Sequence, residues 1–68
     1  MHKELMRLAI NLLDNPNGIA IETYDYLKAT LRAEQTNDAK ELLENVTVTN
    51  GVAFLNEDWV EANFVRFE

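Results

Sequence analysis

The chain has 68 residues, of which 47% are hydrophobic and 26% charged, and its formal net charge is −6. This length and composition exclude both a second core and a disordered chain, and they predict one compact domain over residues 1–68. Cysteine is absent, which excludes disulfides and thiolate metal sites and is typical of a reducing compartment.

Apolar runs in the sequence are short, reaching three or four residues. A membrane-spanning helix needs about 20 consecutive apolar residues, and a signal peptide needs an uninterrupted apolar stretch of about 7–15. The N-terminal segment does not meet the second requirement because Lys3, Glu4 and Arg7 interrupt it. We therefore expect a soluble, cytoplasmic domain that does not associate with a membrane.

The first predicted element is an amphipathic helix over residues 3–13. Its apolar side chains recur at the three- and four-residue spacing of one helical face. They are Leu5, Leu8, Ala9, Leu12 and Leu13, and Met6 and Ile10 widen the face. The helix should end in the segment 14–18, because Pro16 cannot continue it and Asn17-Gly18 favours positive φ.

A short β-prone segment, residues 19–21, comes next and predicts one short strand. A second helix then begins at about Thr23, whose hydroxyl is a candidate N-cap. The apolar stripe of this helix consists of Tyr24, Leu27 and Leu31, which share one face at helical spacing.

A third helix is predicted from about Asn37 to Glu44. Thr36 or Asn37 can cap its first turn, and Asp38 suits the positive end of the helix dipole. The side chains that can face the core are Ala39, Leu42 and Leu43.

A β-hairpin is the strongest local signal in the sequence. The β-prone segments 46–49 and 52–55 are joined by Asn50-Gly51, a pair that matches a type I′ turn with positive φ at both positions. In that register Val48 lies opposite Ala53, and Val46 lies opposite Leu55.

The C-terminal segment is compatible with two structures. Asn56 is a candidate N-cap, and Glu57 and Asp58 after it would form an acidic first turn. Val60, Phe64 and Phe67 then fall at helical spacing. The same segment is rich in aromatic and β-branched residues, so a third strand of a meander is the alternative. We favour the helix, and we expect Val60, Phe64 and Phe67 in the core under either interpretation.

Together these elements predict a small α+β domain with two or three helices and an Asn-Gly β-hairpin. The order helix, short strand, helix, helix, hairpin resembles that of a winged helix. In that resemblance the second and third helices form a helix-turn-helix, and Asn50-Gly51 is the tip of the wing. The resemblance is one of element order alone and implies no function by itself.

Residues suited to catalysis are scarce. Serine and cysteine nucleophiles are absent, and the single histidine, His2, lies near the terminus, where we expect it to be solvated. Acid–base catalysis would need paired carboxylates in a cleft, which a chain this short rarely encloses. We therefore expect no enzymatic activity, no metal site and no cofactor.

Charge is distributed unevenly along the chain. Residues 1–33 hold four acidic and four basic residues, whereas residues 34–68 hold eight acidic and two basic ones and so carry the whole net charge. The acidic side chains that cluster at helical spacing are Asp38, Glu41, Glu44, Glu57, Asp58 and Glu61. Acidic residues also keep a small protein soluble, so such clusters are not by themselves a site.

Our preferred hypothesis is a protein-binding module in which this acidic face docks on a basic surface of a partner protein. Small acidic inhibitors from phages and other mobile elements, which mimic nucleic acid, share this size and charge, so an inhibitor or regulator is its most specific form. The alternative is a winged-helix-like domain that binds nucleic acid or regulates transcription. We expect no nucleic-acid contact, because the third helix holds three acids against Lys40 and the wing tip has no cation.

Two aromatic residues have more than one interpretation. Tyr26 lies beside Ala29, Thr30 and Ala33 on the second helix, where it is a candidate anchor for a partner unless it packs on the hairpin. Trp59 is interpreted as a partly buried core residue. A homodimer is a further hypothesis, in which the aromatic last ten residues cover an apolar strip.

Overall fold

The computed structural model describes residues 2–67, with side chains described from residue 3 onward, so the expectation for the His2 side chain lies outside the described residues. The elements are α1 (His2–Leu13), β1 (Ile19–Ala20), α2 (Ile21–Glu34), α3 (Asn37–Glu44), β2 (Val46–Thr49), β3 (Val52–Leu55) and α4 (Glu57–Asn63), followed by a 3₁₀ helix, Phe64–Phe67. The strands form one antiparallel sheet in the order β1-β3-β2.

The predicted α+β class is confirmed, and so is the element order on which the winged-helix resemblance rests. Helix α1 begins one residue before the predicted range and ends at Leu13, as predicted. No described helix has both the length and the apolar character that crossing a membrane requires.

Helix α2 begins two residues earlier than predicted, and Thr23 is not its cap. The N-cap position is Ala20, which offers no side-chain hydrogen bond. Instead, the N–H of Ile21 donates to the carbonyl oxygen of Gly51 at 3.0 Å, so the hairpin turn satisfies one of the helix's first donors. A tertiary contact therefore replaces the local cap that the sequence suggested.

Thr36 caps α3, and it is one of the two caps that the sequence predicts. The Ala39 N–H donates to the Thr36 hydroxyl oxygen at 3.2 Å. Between α2 and α3 the chain turns at Gln35, a non-glycine residue in the left-handed region at φ 52°. This junction is tight because only Gln35 and Thr36 separate the two helices.

The hairpin forms as predicted. Asn50 and Gly51 both have positive φ, at 54° and 76°, as a type I′ turn requires. The register is also the predicted one, because Val48 lies opposite Ala53 and Val46 opposite Leu55. Ala53 and Leu55 are buried, whereas Val48 is half exposed at the outer edge of the sheet.

The C-terminal segment is helical, which confirms the favoured alternative. Asn56 occupies the N-cap position of α4, but its side chain caps nothing: the Thr47 hydroxyl donates to its Oδ1 at 2.7 Å. Its N–H donates to the carbonyl oxygen of Asn45 at 2.8 Å, so the two ends of the hairpin are joined at the start of α4.

The core lies between the sheet and the helices, and α4 with the 3₁₀ helix closes it. Trp59, Val60 and Phe67 are buried, and Phe64 is partly buried against them. Arg7 of α1 fixes the end of this segment, because its Nε donates to the carbonyl oxygen of Phe67 at 2.9 Å. The remaining buried side chains are Met6, Ala9, Ile10, Leu13, Tyr24, Leu27, Leu31, Ala39, Leu42, Ala53 and Leu55.

Two glycines with similar backbone conformations give a matched test of the packing between β1 and β3. Gly18 has φ +70°, and a Cβ there would lie 2.6 Å from Val52 Cγ1 and 2.8 Å from the Ala53 carbonyl oxygen. Gly51 has φ +76° and nothing within 4 Å of that position. Position 18 therefore requires glycine because its φ is positive and because a Cβ would clash with β3. Position 51 requires glycine only because its φ is positive.

We predict that Gly51→Ala lowers the free energy of unfolding by about 1–2 kcal/mol, the cost of a left-handed residue with a Cβ. Gly18→Ala should cost about 1–3 kcal/mol more, because the β-strand it faces must move. Urea denaturation followed by circular dichroism measures both. Equal losses in the two variants would show that β1 does not approach β3 as closely as described.

Candidate functional site

The six carboxylates of the predicted acidic face have different neighbours in the fold. Asp38 and Glu41 lie on the side of α3 that faces the C-terminal segment, where both approach Arg66. Arg66 Nη2 donates to Asp38 Oδ1, and Arg66 Nη1 lies 3.8 Å from Glu41 Oε2. The indole N–H of Trp59 donates to the same Glu41 oxygen at 2.8 Å. These two carboxylates hold the C-terminal segment against α3.

Glu57 and Asp58 lie in a different place, in a groove of about 960 Å³ between the start of α4, the end of β3 and the loop after α1. Asp14 of that loop is the third carboxylate in its lining, and we call this surface the acidic groove. Its other lining residues are Leu13, Asn15, Pro16, Asn45, Phe54, Leu55, Asn56 and Trp59, so no Lys or Arg side chain takes part.

The acidic groove also offers apolar contact area. The Phe54 side chain is 37% exposed and Pro16 is exposed, and both line the groove beside the three carboxylates. A surface with an apolar part and one sign of charge can bury an amphipathic segment and select its charge at the same time. Long basic side chains suit it, because their aliphatic parts pack on apolar groups while their ends stay charged.

The other two predicted carboxylates are separate from this groove. Glu61 is exposed on α4 and is not in its lining. Glu44 is exposed at the end of α3 and lines a second groove, of about 570 Å³, between α2 and α3. We call this second surface the cationic groove, because Lys28, Arg32 and Lys40 line it.

Tyr24 is buried at the base of the cationic groove and contributes to its electrostatics. Burial raises the pKa of its phenol above the ordinary value of 10.0, an effect that Asp25 reinforces and Arg32 opposes. Lys28 Nζ lies 5.9 Å from the centre of the Tyr24 ring, within the range of a cation–π interaction. The tyrosine therefore stays neutral at physiological pH and positions a lysine at the edge of the groove.

Tyr26 is fully separate from the core. Its side chain is 80% exposed, which excludes the alternative that it packs on the hairpin. The neighbouring Ala29, Thr30 and Ala33 are exposed as well, so the shallow surface of small side chains around one aromatic ring exists as expected. The role of Tyr26 as an anchor stays a prediction.

The aromatic residues of the last ten positions, which we expect to cover an apolar strip in a homodimer, pack within the chain itself. Trp59 and Phe67 are buried, and Val65 is the large apolar side chain of the last ten residues that is strongly exposed, at 78%. On α1, Leu8 and Leu12 are exposed one helical turn apart. A homodimer stays a hypothesis.

Sequence reasoning missed two features of these surfaces. The sequence associates Asp14 only with the end of α1, yet it lines the same groove as Glu57 and Asp58. The cations of α2 were counted in a neutral half of the chain, and the tight turn at Gln35 places Lys40 beside them. Among the described residues no cluster of His, Asp and Glu is arranged to hold a metal ion.

Comparisons with family models, curated proteins and solved structures each gave no match to this chain. Any functional conclusion therefore depends on the chemistry of the surfaces described above.

The contact of Glu41 with Trp59 can be tested against Glu44 on the same helix. We predict that Glu41→Ala lowers the free energy of unfolding by about 1 kcal/mol, the net value of a hydrogen bond to a half-exposed carboxylate. Glu44→Ala should change it by less than about 0.5 kcal/mol, as surface substitutions usually do. Thermal denaturation measures both, with the tryptophan fluorescence as a second signal. A fluorescence spectrum unchanged in Glu41→Ala would contradict the contact.

Proposed function

We propose that this domain binds a partner protein through the acidic groove, and that it recognises a basic segment or basic surface of that partner. The observation that supports this most is the lining of the groove, which combines Asp14, Glu57 and Asp58 with Phe54 and contains no cation. Carboxylates gathered along a concave surface attract cations more strongly than the same charges spread over a convex one.

The proposal depends on fewer residues than the six carboxylates chosen from the sequence. Of the six carboxylates chosen from the sequence, Glu57 and Asp58 lie in the groove, and Asp14 joins them. Asp38 and Glu41 instead interact with Arg66 and are retained for stability in this proposal. Glu44 and Glu61 contribute to the long-range field alone.

An inhibitor or regulator is the specific form of this function that we propose. A small acidic domain that covers a basic surface would compete with any nucleic acid that normally binds there. The support is the net charge of −6 together with the concentration of carboxylates in one groove. The phage or mobile-element origin considered from size and charge has no further support in the geometry.

Nucleic-acid binding is the competing function, and the winged-helix element order favours it. The pairing of Asp38 and Glu41 with Arg66 also removes part of the repulsion expected from α3. Against it, the wing tip, residues 49–51, carries no cation to contact a phosphate. Electrostatic attraction to a duplex is also weak for a domain with a net charge of −6.

A pair of charge-matched variants tests the proposal. Asp14→Asn/Glu57→Gln/Asp58→Asn removes three carboxylates from the acidic groove. Glu4→Gln/Glu22→Gln/Asp25→Asn removes three exposed carboxylates that do not line it, so both variants change the net charge equally. Each is immobilised beside the native domain in a lysate of the source cell, and retained proteins are identified by mass spectrometry.

We predict that the native domain and the Glu4/Glu22/Asp25 variant retain the same basic protein. The acidic-groove variant should bind it about tenfold or more weakly, because charge pairs at an interface centre are strongly coupled. Circular dichroism must show that both variants fold. If both variants retain less of the basic protein by the same amount, binding depends on the net charge of the domain and not on the acidic groove. Retention unaffected by either variant, or tight binding of a labelled DNA duplex by the native domain, would refute the proposal.

A further inference from the structure

The basic residues of this acidic protein are not evenly placed. Of the six Lys and Arg residues, Arg7 and Arg66 are engaged in contacts that hold the C-terminal segment. Lys28, Arg32 and Lys40 all line the cationic groove, and none of the three forms an ion pair with a described side chain. Half of the chain's six Lys and Arg residues thus line one concavity, together with Glu44.

The groove has the shape and lining of a binding surface. Lys28 and Arg32 lie one turn apart on α2, and Lys40 faces them from α3. Leu43 is partly buried and forms the apolar part of the floor beside Tyr24. The hydroxyl oxygen of Thr36, which also lines the groove, accepts from the Ala39 N–H as the cap of α3.

We propose that the cationic groove binds an acidic segment of a partner protein, with one apolar side chain on Leu43 and carboxylates paired with Lys28, Arg32 and Lys40. Three cations spread over two helices match several carboxylates along one chain better than a single small anion. The apolar floor gives a peptide side chain a contact that a phosphate backbone would leave uncovered. This binding is separate from that of the acidic groove, because the two linings share no residue.

A protein segment fits this groove better than a nucleic acid does. A duplex is convex and contacts protruding elements, yet the wing tip at residues 49–51 has no cation and the cations lie inside a concavity. A partner's acidic segment gains charge complementarity locally without having to approach an extended basic surface. The domain would then carry two binding surfaces of opposite charge preference.

Selection from a random dodecapeptide display library tests the proposal. The library is selected on the native domain and counter-selected on the Lys28→Gln/Arg32→Gln/Lys40→Gln variant, whose fold is checked by thermal denaturation. We expect enriched peptides with several acidic residues around one apolar residue. Enrichment of basic peptides alone, or of no peptide that distinguishes native domain from variant, overturns the proposal.

Single variants with equal charge changes then locate the contact. Each enriched peptide is labelled with fluorescein and titrated, and its dissociation constant is measured by fluorescence polarisation. Lys40→Gln should raise that constant about fivefold, the upper effect of one partly exposed ion pair, and Lys3→Gln should raise it less than twofold. Equal effects of the two variants would overturn the proposal. A labelled DNA duplex that binds the native domain and depends on Lys40 would assign the groove to nucleic acid instead.

The same experiment separates this inference from the proposed function. The acidic-groove variant, Asp14→Asn/Glu57→Gln/Asp58→Asn, should bind the enriched acidic peptides at least as well as the native domain. Loss of peptide binding in that variant would show that the peptide lies in the other groove. Failure of the peptide selection leaves the basic-partner proposal intact, because its test uses different residues and a different ligand.

Discussion

Closure of a small core by the C-terminal segment is the constraint on which the rest of this structure depends. A 68-residue chain has few side chains to bury, and Trp59, Val60 and Phe67 supply three of its buried residues. The segment is held at both ends by polar contacts: Trp59 donates to Glu41, and the Phe67 carbonyl accepts from Arg7. These two contacts connect the segment to α3 and to α1.

This constraint also decides which charges remain for function. Arg66 pairs with Asp38 and Glu41, and the Trp59 indole donates a hydrogen bond to Glu41. Two of the three carboxylates of α3 therefore take part in contacts within the chain. The carboxylates left in a concave setting are those around the start of α4 and the loop after α1, and the cations left are those between α2 and α3. The sequence divides the charges into a neutral half and an acidic half, but the fold groups them differently, into the acidic groove and the cationic groove.

Local signals predicted most of the fold. The Asn50-Gly51 turn, the register of the hairpin, the end of α1 before Pro16 and the cap at Thr36 all follow from residue chemistry within a few positions. The start of α2 was placed wrongly at Thr23, because the donor of Ile21 is satisfied by Gly51, thirty positions away in sequence. Such a contact leaves no local signal.

The candidate site was less predictable than the fold for the same reason. Helical spacing correctly identified exposed carboxylates such as Glu57 and Asp58, but it could not show that Arg66 returns to Asp38 or that a loop brings Asp14 close. The cationic groove depends on the turn at Gln35, which sets α3 against α2. Spacing within one element predicts which residues share a face, and only the packing of elements shows which faces meet.

We propose that this domain contacts basic protein through the acidic groove. An NMR titration of the ¹⁵N-labelled domain with a lysine- and arginine-rich peptide tests this proposal most directly. We predict amide shifts concentrated at Asn15, Asn56, Glu57 and Asp58, accompanied by a shift of the Trp59 indole signal. Shifts concentrated on α3, or spread evenly over exposed carboxylates including Glu4, Glu22 and Glu61, would contradict it.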